Sequence, residues 1–172
     1  METMKTIANR NSVRVYTGEQ ISEHELNQIL KAGCAAPVGM GMYDSMLLTV
    51  VQDKEVLEHI SVLVKNIMNT DGDPLYGAPS LVIVSSKDMP AAGLDYTNAG
   101  CIMENMMLEA VELGLGSVIV WGTALAVNAD SELKKRLGIS DDYHVLASIV
   151  LGKSDTVLNE KEMELKIKVD RI

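Results

Sequence analysis

Two arginines, an amide and a hydroxyl lie within five residues near the start of the chain, as Arg10-Asn11-Ser12-Val13-Arg14. A guanidinium group matches the oxygens of a phosphate, and the Asn and Ser side chains add neutral donors. If this segment is a helical turn, Arg10 and Arg14 face the same side because they are four residues apart. The cluster predicts a phosphate-sized binding site, with a solvated basic patch as the alternative.

A second basic set lies near the other end of the chain, in Leu165-Lys166-Ile167-Lys168-Val169. Apolar and polar residues alternate there, which predicts a C-terminal extended arm or edge strand over residues 156–172. On a strand, Lys166 and Lys168 project from one face, where they can meet the first cluster at one phosphate. The alternative is that they protect a sheet edge. An extended arm needs a surface to lie on, and a second subunit provides one.

The remaining residues form no familiar catalytic group. His24, His59 and His144 stand singly, and the sequence has no Cys or His at metal-ligand spacing, no G-x-S-x-G and no P-loop. Gly39-Met40-Gly41 and Gly114-Leu115-Gly116 follow predicted helices and precede predicted strands, the reverse of the order in a dinucleotide fingerprint. We therefore expect no metal site and assign no catalytic side chain.

Composition limits the class of protein. The 172 residues are 47% hydrophobic with a net charge of −9, which predicts one folded domain, 1–172, and disfavours nucleic acid or an anionic membrane surface as partner. No apolar run approaches the roughly 20 residues of a membrane helix. Residues 1–10 lack the features of a secretory signal, and Cys34 and Cys101 lie far apart in apolar surroundings. These features predict a cytoplasmic protein.

Apolar periodicity predicts four helices that alternate with four strands. The predicted helices cover residues 22–35, 54–69, 95–113 and 130–137, and the predicted strands 45–51, 81–85, 117–121 and 145–151. Because the strands are almost continuously apolar, helices must cover both faces of the sheet. The pattern predicts a three-layer arrangement of the α/β or α+β class.

The order of these features resembles the nitroreductase family. Arg10-Asn11-Ser12-Val13-Arg14 is similar to its N-terminal R-x-S-x-R segment, and Cys34-Ala35-Ala36-Pro37-Val38 to the A-P-S turn after its first long helix. Asp95, Asn105-Met106-Met107-Leu108-Glu109-Ala110 and Glu112-Leu113-Gly114-Leu115-Gly116-Ser117 are similar to its D…N-m-x-L-x-A…E-L-G-L-G-S run. The resemblance extends over about residues 8–153.

The resemblance implies an α+β fold, a three-layer α-β-α sandwich with a central mixed sheet, intertwined as a homodimer with FMN tightly bound at the interface. It assigns the phosphate and ribityl contacts to Arg10, Asn11, Ser12, Arg14, Lys166 and Lys168, the ring contacts from the other subunit to Pro37, Val38 and Gly39, and the region near flavin N5 to Val120, Trp121 and Gly122.

The implied activity is that of an NAD(P)H oxidoreductase. NAD(P)H, the co-substrate, gives a hydride to FMN and leaves, and a nitroaromatic, quinone or similar small acceptor then takes its place in a ping-pong cycle. The flavin carries the redox chemistry, while the protein supplies orientation, electrostatics and access.

The chain departs from the family after Pro37. It has Gly39-Met40-Gly41-Met42-Tyr43 where the family has an Asn and then Q-P-W, and Val38 replaces the Ser of the turn. We expect Met40, Met42 and Tyr43 to line the substrate pocket, although the two methionines can equally pack against a dimer partner. The lost polar side chains motivate an alternative function, a flavin-binding protein without turnover such as a sensor, a store or a degenerate relative. A cofactor-free binding domain is a third hypothesis.

Overall fold

The computed structural model describes residues 2–156 and 159–172, in which six helices and four strands are present. The helices are α1 (Thr3–Asn9), α2 (Glu23–Cys34), α3 (Lys54–Met68), α4 (Leu94–Glu112), α5 (Gly122–Ala129) and α6 (Ser131–Arg136). The strands are β1 (Met46–Val51), β2 (Ser80–Ser86), β3 (Gly116–Val120) and β4 (His144–Gly152). Two short 3₁₀ turns, Gly39–Gly41 and Tyr43–Ser45, connect α2 to β1.

The four strands form one antiparallel sheet in the order β1-β2-β4-β3, so β1 and β3 lie at its edges. The parallel part of the predicted mixed sheet is limited, within residues 2–156 and 159–172, to a bridge between Ser12 and Ser117. That bridge joins the segment after α1 to the outer edge of β3.

Helices cover both faces of the sheet, which confirms the predicted three-layer α+β fold. Successive side chains of a strand point to opposite faces, and β2 shows this clearly. Val82 and Val84 pack in the core with α2 and α4, whereas Leu81 and Ile83 pack in the core with α3, α5 and α6. Every residue of β2 is buried, which explains why its sequence is almost continuously apolar.

Local capping signals set the starts of three helices. The Ser22 side chain accepts a hydrogen bond from the N–H of Glu25, whose carboxylate accepts one from the N–H of Ser22, and this capping box begins α2. Asp53 and Asp130 cap α3 and α6 through hydrogen bonds of 2.9 Å from Val56 and Leu133. The predicted starts of these helices are therefore confirmed.

Two helices were absent from the sequence prediction, α1 and α5. Neither has a side-chain cap, since Glu2 and Trp121 precede them without capping hydrogen bonds. The predicted strand over residues 117–121 was also wrong at its end, because β3 stops at Val120 and Trp121 adopts a helical conformation, with φ −76° and ψ −31°. The chain turns into α5 at the point where the prediction continued the strand.

Residues 159–172 form no helix or strand, and residues 157 and 158 of the predicted arm lie outside the described part of the chain. Leu165 and Ile167 are each 82% exposed. No helix in residues 2–156 and 159–172 combines the length and the apolar character that crossing a membrane requires.

Candidate functional site

The N-terminal basic cluster is extended and runs beside β3. Because α1 ends at Asn9, the cluster does not form the helical turn that would place Arg10 and Arg14 on one side. Ser12 pairs with Ser117, and the N–H of Val13 donates to the Ser117 carbonyl at 3.0 Å. Val13 is only 3% exposed, while Ser12 and Arg14 are exposed. Alternation along an extended chain therefore turns Ser12 and Arg14 outward.

The absence of a side chain at Gly116 makes this packing possible. A Cβ placed on Gly116 would lie 2.8 Å from Cγ1 of Val13 and 3.1 Å from Cε1 of Tyr16. Tyr16 is also held by a hydrogen bond, because its hydroxyl donates to the Val13 carbonyl at 2.9 Å. Burial, followed by the nearby Tyr76, raises the pKa of Tyr16, so this hydroxyl stays neutral.

The two arginines of the cluster differ in their partners. Arg10 lies 3.6 Å from a carboxylate oxygen of Glu104 on α4, and its side chain is mostly buried. The exposed Arg14 makes one hydrogen bond within the described residues, from Nη1 to the Ser12 carbonyl at 3.4 Å. Since a guanidinium has five N–H donors, both side chains retain donors for an anion.

Lys161 joins this cluster, although the sequence analysis did not select it. Its backbone N–H donates to the Ala8 carbonyl at 2.9 Å, and Asn11 donates to the Asn159 carbonyl at 3.3 Å. Desolvation and then the charge of Arg10 lower the pKa of Lys161, with Lys166 adding to the effect and Glu104 opposing it. In the sequence, Lys161 stands among Glu160, Glu162 and Glu164, so its neighbours give no indication that it belongs to a basic cluster.

The two predicted C-terminal lysines are placed differently. Lys166 is near enough to Lys161 for its charge to act on the pKa of that group. Lys168 forms an ion pair with Asp170, with 3.0 Å between Nζ and Oδ2. The described residues thus gather Arg10, Lys161 and Lys166, while Lys168 is engaged elsewhere on the arm.

The corner between β3 and α5 contains three more of the predicted site residues. The Val120 carbonyl accepts hydrogen bonds from the hydroxyls of Thr123 at 2.8 Å and Ser148 at 2.9 Å. Gly122 is buried, whereas the Trp121 side chain is 55% exposed beside the half-exposed Ile119. This corner therefore presents an apolar surface at the end of the strand along which Ser12 and Arg14 lie.

The turn after Pro37 is anchored to α4. The N–H of Gly39 donates to Oδ1 of Asn98 at 2.9 Å, and the side chain of Leu94 fills the space that a Cβ on Gly39 would need. Asn98 is 2% exposed and was missed by the sequence analysis, since a single Asn within a helical pattern carries no signal of its own.

Around this turn, the predicted pocket residues are mostly open to solvent. Pro37 and Met40 are exposed and Val38 is buried, while Met42 is half-buried. Met40 has a positive φ of 58°. Tyr43 is exposed and donates to the Ala36 carbonyl at 3.2 Å. The predicted site residues therefore form two groups in one chain, one around this turn and one along β3.

The group along β3 has the chemistry to hold a phosphate joined to a flat ring. Ser12, Arg14 and Arg10 supply donors at one end, and Trp121 supplies exposed aromatic surface at the other. Trp121 follows Ser117, which pairs with Ser12, by four positions, which corresponds to roughly 13 Å of extended chain. In the described part of the chain, no three His, Cys, Asp or Glu side chains are grouped to bind a metal ion.

A separate cavity of about 770 Å³ lies between α3 and the loop before β2. Ser61, Lys65, Asp73 and Gly77 are among the residues that line it, and none of the predicted site residues does. Asp73 accepts hydrogen bonds there from Ser61 and from the N–H groups of Leu75 and Gly77. These bonds hold the loop in place, so the Asp73 carboxylate has a structural role.

A profile of the nitroreductase family matches residues 7–153. The chain belongs to the nitroreductase family. It is 30% identical over 175 residues to a protein of Archaeoglobus fulgidus provisionally named an NADH dehydrogenase/NAD(P)H nitroreductase, an alignment that covers 99% of this chain and 96% of that protein. It is 28% identical over 129 residues to the FMN reductase (NAD(P)H) of Bacillus subtilis, covering 73% of this chain and 49% of that one.

Solved structures show the same fold. An FMN-bound nitroreductase of Bacteroides fragilis superposes with a TM-score of 0.84 at 29% identity, covering 99% of this chain and 100% of the other. An FMN-bound nitroreductase of Desulfitobacterium hafniense gives a TM-score of 0.84 at 26% identity and covers both chains completely.

The contact at Gly116 can be tested by Gly116→Ala. Because the added methyl group would overlap Val13 and Tyr16, we expect a loss of about 1–3 kcal/mol in the free energy of unfolding, measured by urea denaturation. Gly72→Ala is the control, since nothing lies within 4 Å of a Cβ at that position. Equal stability of the two variants would show that the segment beside β3 relaxes freely.

Proposed function

We propose that this protein is an FMN-dependent oxidoreductase that takes a hydride from NAD(P)H and passes electrons to a nitroaromatic, a quinone or a similar small acceptor. The observation that carries the proposal is the extended segment of Ser12 and Arg14 along β3, with hydroxyl and guanidinium donors at one end and Trp121 at the other. Family membership over residues 7–153 and the FMN-bound relatives support it.

Residues of the basic cluster hold the phosphate in this proposal. Arg10, Ser12 and Arg14 donate to its oxygens, and Lys161 and Lys166 add positive charge. Burial and then the charges of Arg10 and Lys166 lower the pKa of Lys161, and a phosphate beside them would favour its protonated form. Asn11, whose amide donates to Asn9 and Asn159, fixes the start of the arm beside the cluster.

Val120, Trp121 and Gly122, at the end of β3, would hold the flavin ring. When bound, FMN accepts the hydride and returns the electrons to the acceptor. Apolar side chains at this corner would orient the ring and cover one side of it, and NAD(P)H and the acceptor would approach from the open side. Since NAD(P)H and the acceptor both need that open face, one must leave before the other binds, which is the order of a ping-pong cycle.

A second copy of the chain completes the site. Pro37, Val38 and Gly39 lie in the group that is separate from the basic cluster, so the proposed ring contacts from this turn come from the other subunit. Met40, Met42 and Tyr43 of the same turn then line the acceptor pocket. The two free thiols, Cys34 and Cys101, agree with the predicted cytoplasmic location.

The arm supplies the contact that joins the two copies. Leu165 and Ile167 are almost fully exposed in one chain, and their burial would be favourable by about 1.5–3 kcal/mol for each side chain. Within the described residues, β1 is an edge strand of the sheet, so an extended segment can lie beside it. We place residues 159–172 of each subunit on its partner.

The visible spectrum of the purified protein tests the function first. We expect flavin absorption, or its appearance after FMN is added, with bleaching by NADH or NADPH in anaerobic buffer and recovery on addition of a nitroaromatic or a quinone. Flavin that binds and is not bleached would favour the flavin-binding protein without turnover. A protein that never binds FMN would overturn the proposal.

The phosphate contacts are tested by the double variant Arg10→Ala, Arg14→Ala. Losing two charge-assisted hydrogen-bonding groups should weaken FMN binding about 100-fold, measured by fluorescence titration. Arg136→Ala is the control, because this exposed arginine on α6 lies 3.9 Å from Asp53, away from the cluster. An unchanged dissociation constant in the double variant would remove the electrostatic basis of the proposed site.

Mutations can test the apolar face and the basic face of the arm separately. Leu165→Ser with Ile167→Ser should convert the dimer into a monomer, measured by sedimentation equilibrium, because it removes the apolar face. Lys166→Ala with Lys168→Ala should leave the dimer intact and weaken FMN binding. A dimer that persists in the first variant would show that the arm does not hold the subunits together.

A further inference from the structure

Arg10 is a mostly buried arginine that is paired loosely with one carboxylate. Its side chain is 23% exposed, and its Nε lies 3.6 Å from Oε1 of Glu104, which is too long for a hydrogen bond. Among residues 2–156 and 159–172, none accepts a hydrogen bond from this guanidinium. Since a guanidinium has five N–H donors, the side chain can bind an anion from outside the chain while Glu104 stays beside it.

The docking of α1 on α4 brings Arg10 and Glu104 together. Arg10 follows α1 directly, and its backbone N–H donates to the Thr6 carbonyl at 3.0 Å. The Thr6 hydroxyl donates in turn to the carboxylate of Glu112 on α4, against which α1 packs. Glu104 lies about two turns before Glu112 on the same helix. The contact between Glu104 and Arg10 is therefore set by the fold and does not depend on a bound phosphate.

Glu104 also acts on a second cation of the cluster. Burial and then the charge of Arg10 lower the pKa of Lys161, whereas the Glu104 carboxylate raises it. One carboxylate thus offsets the charges of two cations, and Lys166 adds a third positive charge nearby. The cluster keeps a net positive charge in spite of Glu104.

A phosphate at this cluster would reverse the effect of Glu104. A phosphate monoester carries nearly two negative charges at neutral pH, and its attraction to the cations is opposed by the carboxylate beside them. The same charge that stabilises Arg10 and Lys161 in the flavin-free protein must therefore repel a bound phosphate. These two effects have opposite signs, so one substitution at Glu104 can reveal both.

Resting on the proposed function, we propose that Glu104 is the built-in counterion of the phosphate site and limits the affinity of this site for the phosphate of FMN. Its carboxylate stabilises the cations while no phosphate is bound and opposes the phosphate when FMN binds. In this role Glu104 contacts neither the flavin ring nor the acceptor. The affinity for FMN is then lower than the number of cations alone would give.

Glu104→Gln tests the inference, because it removes the charge and keeps the shape of the side chain. The melting temperature of the flavin-free protein should fall by about 2–4 °C, since Arg10 and Lys161 lose their counterion. FMN should bind about tenfold more tightly, measured by fluorescence titration, since the repulsion of its phosphate is lost. Riboflavin, which has no phosphate, should bind the variant and the wild type equally.

Glu58→Gln is the matched control, since it changes the net charge of the chain by the same amount. Glu58 lies 3.8 Å from Lys54 on α3, and it lines the separate cavity, which none of the predicted site residues does. This variant should bind FMN with wild-type affinity. In about 0.5 M NaCl, the difference in FMN affinity between Glu104→Gln and the wild type should shrink, because salt screens the repulsion.

An affinity for FMN that is unchanged or lower in Glu104→Gln would overturn the inference, because Glu104 would then only orient Arg10. If the wild type binds no FMN, the proposed function is wrong, and inorganic phosphate decides the inference separately. At matched ionic strength, phosphate should then raise the melting temperature of Glu104→Gln more than that of the wild type. An equal rise in both proteins would overturn the inference as well.

Discussion

The close packing of the N-terminal segment against β3 is the constraint on which the rest of the site depends. Val13 can be buried there only because Gly116 has no side chain, and the burial of Val13 decides which neighbours face outward. Once Val13 points inward, Ser12 and Arg14 must point outward along an extended chain. The same contact pairs the Ser117 carbonyl with the N–H of Val13 at the outer edge of β3.

The positive charges beside the outer edge of β3 make this part of the protein specific for an anion. The chain carries a net charge of −9, yet Arg10, Lys161 and Lys166 converge beside the extended segment, and Glu104 offsets only part of their repulsion. Burial, and after it the charges of Arg10 and Lys166, lower the pKa of Lys161. A phosphate at this position would convert that repulsion into attraction, which makes the cluster selective for an anion in a protein that repels anions elsewhere.

The proposed assembly rests on what one chain leaves exposed. The turn after Pro37 is fixed by Asn98 and Leu94 and presents Met40 to solvent, and the arm presents Leu165 and Ile167. Exposed apolar groups of this kind support the proposal that a second copy covers them. The proposed dimer therefore joins the two groups of site residues that lie apart in a single chain and covers the apolar face of the arm.

Local sequence determined the parts of this protein that depend on neighbouring residues. The capping box at Ser22 and the apolar runs of β2 and β4 predicted the start of α2 and the layers correctly. The R-x-S-x-R pattern predicted a phosphate site at the basic cluster, which stays a prediction. Only the tertiary structure decided that the basic cluster is extended, that Lys161 joins it, and that β3 ends at Val120. The physical reason is that each depends on a partner distant in sequence: Gly116 for Val13, Ala8 for Lys161, and Ser148 for Val120.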